Sequence, residues 1–298
     1  MIFCRNKVYD LRVKITPLAA ESWPGVRSSS LLVETEGVRL VIDPGCALGP
    51  WSFQLPPHPV EQRALKTAWQ RIVQATEQAD AAIITHFHRD HYNPNHPELL
   101  KHLKLFVISK QDLNISQRRR AESFLKNLPG FQEADGTTQR INDITLIFSQ
   151  KLPHGDQEKV PILSVCVQHG DKRLVYTSDV GGFQVPSQLD FVLEHQPDFL
   201  FMDGPRKNPK DLERFDRAWP ELLNIPNLRT IIFEHHGIRR GKWRDIFSDF
   251  LEQARTRGVS VHTAASYLGF PERNLESRRD QLYEILPAAQ VGPVSIVP

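Results

Sequence analysis

A layered α/β fold is predicted for this chain, and three observations predict it. Short apolar, β-prone runs recur along all 298 residues, and the later ones are separated by stretches with helical spacing. The early runs are joined by short turns such as Glu36-Gly37, a hairpin signal. A weak internal echo relates the two halves: Arg39-Leu40-Val41-Ile42-Asp43 resembles Arg173-Leu174-Val175-Tyr176 with Asp179 beyond it, and residues 81–86 resemble residues 229–235. Two related halves, each supplying one sheet, would bring the polar strand ends of both to a shared edge. No low-complexity linker divides the chain and its 22 prolines are scattered, so residues 1–298 are expected to form a single domain.

In chain order, strands are expected at residues 11–15, 31–35, 38–42, 81–85, 105–109, 144–148, 162–167, 173–177, 199–202, 230–233 and 259–262. These runs are dominated by Val, Ile, Leu and Phe, which fit a pleated, buried surface. Helices are expected at 60–78, 117–127, 186–195, 212–223, 242–257 and 275–286, longer stretches in which charged and apolar residues interleave.

The chemistry is concentrated in Thr85-His86-Phe87-His88-Arg89-Asp90-His91, directly after Ala81-Ala82-Ile83-Ile84. Four side chains that bind metals well fall within six residues. His86 and His88 are two apart, so an extended segment turns both to one side. Asp90 and His91 arrive a turn later. Imidazole suits zinc, iron and related ions, and a carboxylate adds charge neutralisation. The spacing is not the helical H-E-x-x-H of zinc proteases.

Three later places supply further donors, each at or just past the end of a β-prone run. His154 follows the break Lys151-Leu152-Pro153. Asp179 precedes Gly181-Gly182. His235 follows Ile231-Ile232-Phe233-Glu234. One ion could take His86, His88 and His154, and a second Asp90, His91 and His235, with Asp179 bridging them. Three or four protein ligands per ion leave a position open for water, which marks a catalytic rather than a structural site. Asp90 could also orient the nucleophile. His236 is either the proton donor to a leaving group or the ligand in place of His235; His235 is preferred as ligand because it follows its strand as His86 does.

The order His-x-His-x-Asp-His, then a lone His, an Asp and a final His, resembles the metallo-β-lactamase superfamily. Asp43, in Leu40-Val41-Ile42-Asp43-Pro44-Gly45, matches the first motif of that superfamily, where the residue braces the loop carrying the histidines. Ala20-Glu21-Ser22, Gly25-Val26-Arg27-Ser28, Leu55-Pro56-Pro57-His58-Pro59, Asn114-Ile115-Ser116-Gln117-Arg118, residues 165–178, His235-His236 and residues 263–269 look like a branch of predicted metal-dependent hydrolases within it. The resemblance implies an αββα four-layer sandwich, with the metal site at the shared edge of two mixed sheets. It also implies a binuclear hydrolase that uses water activated on two divalent metal ions against an ester-type bond, phosphodiester or lactone being favoured. Zinc is the default metal, with manganese, iron and nickel open to the same donors. Two alternatives share the scaffold: a metal-binding regulatory protein without turnover, and a ribonuclease, for which the chain shows no added RNA-gripping domain. A di-iron redox protein is disfavoured, since the flavodiiron relatives carry Glu where His88 stands.

Composition bounds the partners. A formal charge of +2 gives no reason for strong nonspecific binding to nucleic acid or anionic membrane, so a small-molecule substrate is expected. Three cysteines, Cys4, Cys46 and Cys166, form no disulfide framework, and no signal-peptide pattern opens the chain, so a cytoplasmic protein is expected. Cys46 reads as a small buried residue. Ser28, Ser29 and Ser30 with Arg27 are candidates for an anion pocket, though turn residues are commoner. His58 is weighed as a lid element against an ordered surface loop. Arg118, Arg119, Arg120 and Arg140 read as a solvated face. His169, His195, Trp243 and Tyr267 read as structural.

Overall fold

The computed structural model describes residues 13–239 and 241–287. The expectations placed on residues 1–10, on Cys4 and on the start of the first strand, Leu11 and Arg12, lie outside them.

The N-terminal half builds one sheet in chain order. It comprises β1 (Lys14–Ala20), β2 (Ser29–Glu34), β3 (Arg39–Ile42), β4 (Ala81–Ile84), β5 (Lys104–Val107) and β6 (Gln132–Glu133), with α1 (Pro59–Glu77) between β3 and β4 and α2 (Ile115–Leu125) between β5 and β6. The first three strands form an antiparallel meander, whereas β3, β4, β5 and β6 run parallel. Parallel neighbours need a crossover, which α1 and α2 supply.

The C-terminal half builds the second sheet from β7 (Thr138–Ile141), β8 (Ile144–Phe148), β11 (Val165–His169), β12 (Lys172–Tyr176), β13 (Phe199–Asp203), β14 (Thr230–Glu234) and β15 (Ser260–His262). Its first four strands are antiparallel and β12 to β15 are parallel. A separate ribbon, β9 (Leu152–His154) with β10 (Gln157–Ile162), projects between β8 and β11. The helices of this half are α3 (Pro186–His195), α4 (Pro209–Leu222), α5 (Trp243–Ile246), α6 (Ser248–Thr256), α7 (Ala264–Tyr267) and α8 (Arg279–Ile285). Both sheets are mixed, and the fold is the expected αββα sandwich.

The period-2 alternation of the strands separates two core layers. Leu174, Tyr176, Phe201 and Ile232 face inward, in one buried cluster with the first sheet, Ala68 and Ile72 of α1, and Phe124 of α2. Their neighbours Val175, Leu200, Met202, Ile231 and Phe233 face outward, packed with Val192 of α3, Phe215 of α4 and Phe250 of α6. Strands covered on both faces read as continuous apolar runs, and that is why they stand out in the sequence. No helix among the described residues is long and apolar enough to cross a membrane.

Several elements differ from expectation. The first strand continues through Pro17, which β1 tolerates as an edge strand with a register shift between Pro17 and Ala19. The expected run 162–167 divides: Ile162 ends β10, and β11 begins only after Leu163 donates to Thr85 O and Ser164 Oγ to Thr177 O. The expected helix 242–257 is interrupted at Phe247, and the last expected helix opens with a 3₁₀ turn before α8. β6 and β9 are only two and three residues long, and β7 and β10 carry many polar residues, so all four leave little apolar signal.

Candidate metal centre

The parallel strands of both sheets deliver their C-terminal ends to one place. Asp43 follows β3, residues 85–91 follow β4, Asp179 follows β12, Asp203 ends β13 and His235 follows β14. His154 comes from the ribbon as the last residue of β9, so the Lys151–Pro153 segment read as a break is largely strand. Three non-glycine residues at these strand ends take left-handed backbone, Asp43 at φ 49°, Ser178 at φ 56° and His235 at φ 55°. Such strain is stored where surrounding contacts fix it, and it clusters at functional sites. Gly45 meets a different demand, because a Cβ there would fall 2.1 Å from Tyr92 N. The absent side chain lets the Asp43 loop lie flat on the histidine loop.

All seven expected ligand side chains converge. His86, His88, His154 and Asp179 form one group, and Asp90, His91 and His235 a second. Asp179 stands between them: its Oδ2 lies 3.1 Å from His154 Nε2, 3.4 Å from His235 Nε2 and 3.7 Å from His86 Nε2, and its Oδ1 lies 3.2 Å from His91 Nε2. His86 Nε2 is 3.0 Å from His88 Nδ1, and Asp90 Oδ2 is 3.8 Å from His235 Nε2.

These spacings fit a cation. Two nitrogens each about 2.1 Å from zinc at the tetrahedral angle lie about 3.4 Å apart, and the observed separations bracket that value. His91 Nε2 and Asp179 Oδ1 are buried without a hydrogen bond, although such atoms are costly to leave unsatisfied. A cation between them would satisfy both.

The ring orientations are fixed from behind. Asp43, fully buried, accepts from Thr85 N at 2.8 Å, Thr85 Oγ1 at 2.7 Å, Tyr176 Oη at 2.8 Å and His91 Nδ1 at 2.8 Å. With Nδ1 committed, His91 turns Nε2 to the cluster, the arrangement that orients metal-binding histidines. Burial, together with neighbouring His91 and His88, holds His86 well below the usual histidine range, and burial takes His88 to about 4. Burial alone would lower His91 too, but Asp179 and Asp43 outweigh it and raise it well above that range.

The adjacent histidines have different partners, although Asp179, His235 and His236 also form a third group that could hold an ion. His235 Nε2 faces Asp179 and Asp90, whereas His236 is held by Asp203, its backbone N at 2.9 Å and Nδ1 at 3.0 Å from the two carboxylate oxygens. His236 lines a cavity of about 830 Å³ that opens beside His154. Burial lowers His236 to about 4 despite Asp203.

Other candidates fall elsewhere. His58 is neither lid nor surface loop: it is fully buried, its Nδ1 accepts from Val60 N at the start of α1, and its Nε2 reaches Leu286 O at 2.8 Å. The serine run is buried in and beside β2, with Ser28 Oγ donating to Gly45 O, and only Arg27 reaches the cavity. Arg118, Arg119 and Arg140 are exposed, while Arg120 donates to Phe87 O and steadies the histidine loop. Trp243 is buried against Phe233.

Three groups escaped the sequence reading. Asp203 follows the apolar end of β13 as Asp179 follows that of β12, so its position was the available signal. Glu21, buried, and Arg239, part-buried, form a clamp, with Arg239 Nη2 2.8 Å from Glu21 Oε1 and 3.1 Å from His235 Nε2. Glu234 accepts from Ser22 Oγ and from Ala264 N, and burial raises its carboxyl to about 7. Nothing local in the sequence announces these long-range contacts.

A beta-lactamase superfamily domain model matches residues 38–221, which contain six of the seven clustered ligand candidates. The chain belongs to the beta-lactamase superfamily. A UPF0282 protein of Korarchaeum cryptofilum is 34% identical over 288 residues, covering 92% of this chain and 96% of that protein, which places the chain in the UPF0282 family. Two solved structures share the fold of the superfamily. An isothiocyanate hydrolase from Delia radicum gut bacteria aligns with a TM-score of 0.52 and 17% identity, covering 79% of this chain and 94% of its own. The metallo-beta-lactamase fold protein YhfI from Bacillus subtilis aligns with a TM-score of 0.51 and 15% identity, covering 84% and 96%.

Proposed function

We propose that the protein is a binuclear metal-dependent hydrolase acting on an ester-type bond, with phosphodiesters and cyclic esters the favoured substrates. One observation carries this reading: seven donor side chains from four separate segments converge with buried, unsatisfied atoms facing one another. His86, His88 and His154 would hold one cation, Asp90, His91 and His235 the other, and Asp179 both. When bound, two divalent cations, zinc in the first instance, supply a water activated at neutral pH and stabilise charge forming on a substrate oxygen. The expected partner is a small molecule, for which the adjoining cavity provides room.

The protein's own groups have separate tasks. Asp90 is only part-buried, at the rim of the second group, where it accepts a hydrogen bond from the attacking water and sets its direction. Asp203 accepts a hydrogen bond from His236 Nδ1, which fixes the ring and leaves Nε2 for other partners. His236 would pass a proton to the leaving oxygen, with the Asp203 carboxylate stabilising the ring while it is charged. Glu21, 3.7 Å from His235 Nδ1, would steady the ring, while Arg239 would yield its contact with Nε2 to a bound cation.

A screen of chromogenic phosphodiesters, lactones and thioesters with metal restored tests the proposal. Turnover of at least one class, lost in His88→Ala, is expected. A fully loaded protein that turns over none of them would contradict it.

A further inference from the structure

The cavity beside His154 and His236 has an uneven charge. Arg27, Arg206, Lys207 and Arg239 line it, against Glu276 alone. Two of these cations already have firm carboxylate partners: Arg27 Nε donates to Glu276 at 2.7 Å, and Arg239 to Glu21 at 2.8 Å. Arg206 differs. Its guanidinium makes no hydrogen bond among the described residues, and its one ion pair there is a loose 3.9 Å contact with Asp211. It also lies close to the turn that carries His154. Gly155, the residue after His154, has φ +58°, and a Cβ there would stand 2.9 Å from Arg206 Nη2. The missing side chain lets the guanidinium rest against the turn that carries His154.

The cavity also carries two large exposed rings, Trp51 at 67% and Phe53 at 55% exposure. Phe53 and Gln54 occupy left-handed backbone at φ 53° and 59°, which is costly for residues of this size. The turn is held nonetheless. Ser52 and Leu55 exchange backbone hydrogen bonds of 3.1 and 2.9 Å, and Ser52 Oγ donates to Glu276 O at 3.1 Å. Behind it the buried Arg279 donates to Leu55 O at 2.9 Å and Gly49 O at 2.8 Å. A strained turn fixed from beneath thus presents its aromatic rings to the cavity and not to the core.

We propose that the substrate carries an oxyanion of the phosphate type beside a planar ring, and that Arg206 is the specificity residue that holds the oxyanion while Trp51 and Phe53 stack on the ring. A planar guanidinium with only a loose ion pair to Asp211 matches such an anion in two parallel hydrogen bonds. The proposal rests on the hydrolase reading for its catalytic meaning, but the binding it asserts is measurable without metal.

Isothermal titration of AMP and of adenosine into chelator-treated protein tests it, AMP being a planar ring with a phosphate and adenosine the same ring without one. AMP is expected to bind at least tenfold more tightly than adenosine. Arg206→Ala should bring AMP to the adenosine level, Arg206→Lys should restore part of the difference, and Trp51→Ala should weaken both ligands several-fold. Equal affinity for the two ligands, no binding of either, or an AMP affinity unchanged in Arg206→Ala would overturn the proposal. Metal content measured on the untreated samples separates the two readings: a chain that holds no cation yet binds AMP through Arg206 refutes the metal site and keeps the pocket.

Discussion

Asp43 Oδ2 lies 2.8 Å from His91 Nδ1, and both side chains are fully buried. The pair joins the end of β3 to the loop after β4, and through it one carboxylate fixes the direction in which His91 presents Nε2. Asp43→Asn keeps the shape but replaces one acceptor oxygen by an NH₂, which would face Thr85 Oγ1, Tyr176 Oη and His91 Nδ1 at the Oδ2 position or Thr85 N at the Oδ1 position. It should weaken metal affinity by about 10–100-fold. Competition with a fluorescent chelator measures this; an unchanged affinity would show that Asp43 does not orient the ligand.

Asp203 and His236 make a second test. Asp203→Asn should leave metal content intact and slow turnover by about 10²–10⁴-fold, the usual contribution of a positioned acid–base group. His236→Ala should behave alike. Metal lost from His236→Ala but retained in His235→Ala would exchange the two histidines' roles.

Glu61 and Arg279 form a fully buried ion pair, Nε to Oε2 at 2.8 Å and Nη2 to Oε1 at 2.8 Å. It ties α8 to α1 and to the turn bearing Trp51. Removing one partner leaves an uncompensated buried charge, so Glu61→Ala should cost about 3–5 kcal/mol. A urea midpoint within error of the wild type would contradict this.

Cys46 is part-buried, not fully buried as the sequence suggested, and Cys166 is buried; desolvation, with Asp90 nearby for Cys46, pushes each thiol up to about 12. Since the thiolate is the reactive species, iodoacetamide at pH 8 should label either one roughly a thousandfold more slowly than an ordinary exposed thiol. Peptide mapping after brief alkylation of native protein reads this directly, and rapid labelling of Cys46 would refute it.

Much of this site was legible in the sequence because of one regularity. Ligands at the ends of parallel strands appear as polar residues directly after short apolar runs, as His86, Asp179 and His235 do. His154 was found by the same rule, although its own short strand was read as a break, because Leu152–His154 is too brief and too interrupted by Pro153 to register. Asp203 obeys the same rule at the end of β13 but lies outside the His-x-His-x-Asp-His, His, Asp, His series that singles out the ligands. The Glu21–Arg239 clamp and the burial of His58 were invisible for a different reason: they depend on pairings across 218 and 228 positions, respectively, and only the folded chain brings those residues together.

The central claim is that the His/Asp cluster holds cations. Elemental analysis of purified protein and of His86→Ala, His88→Ala and Asp179→Ala tests it most directly. The account predicts about two divalent ions per wild-type chain, with marked loss in each variant and fullest loss in Asp179→Ala, which removes the oxygens shared by both groups. A wild-type chain that takes up no transition metal after incubation with zinc, manganese or iron, or variants that bind as much as the wild type, would contradict it.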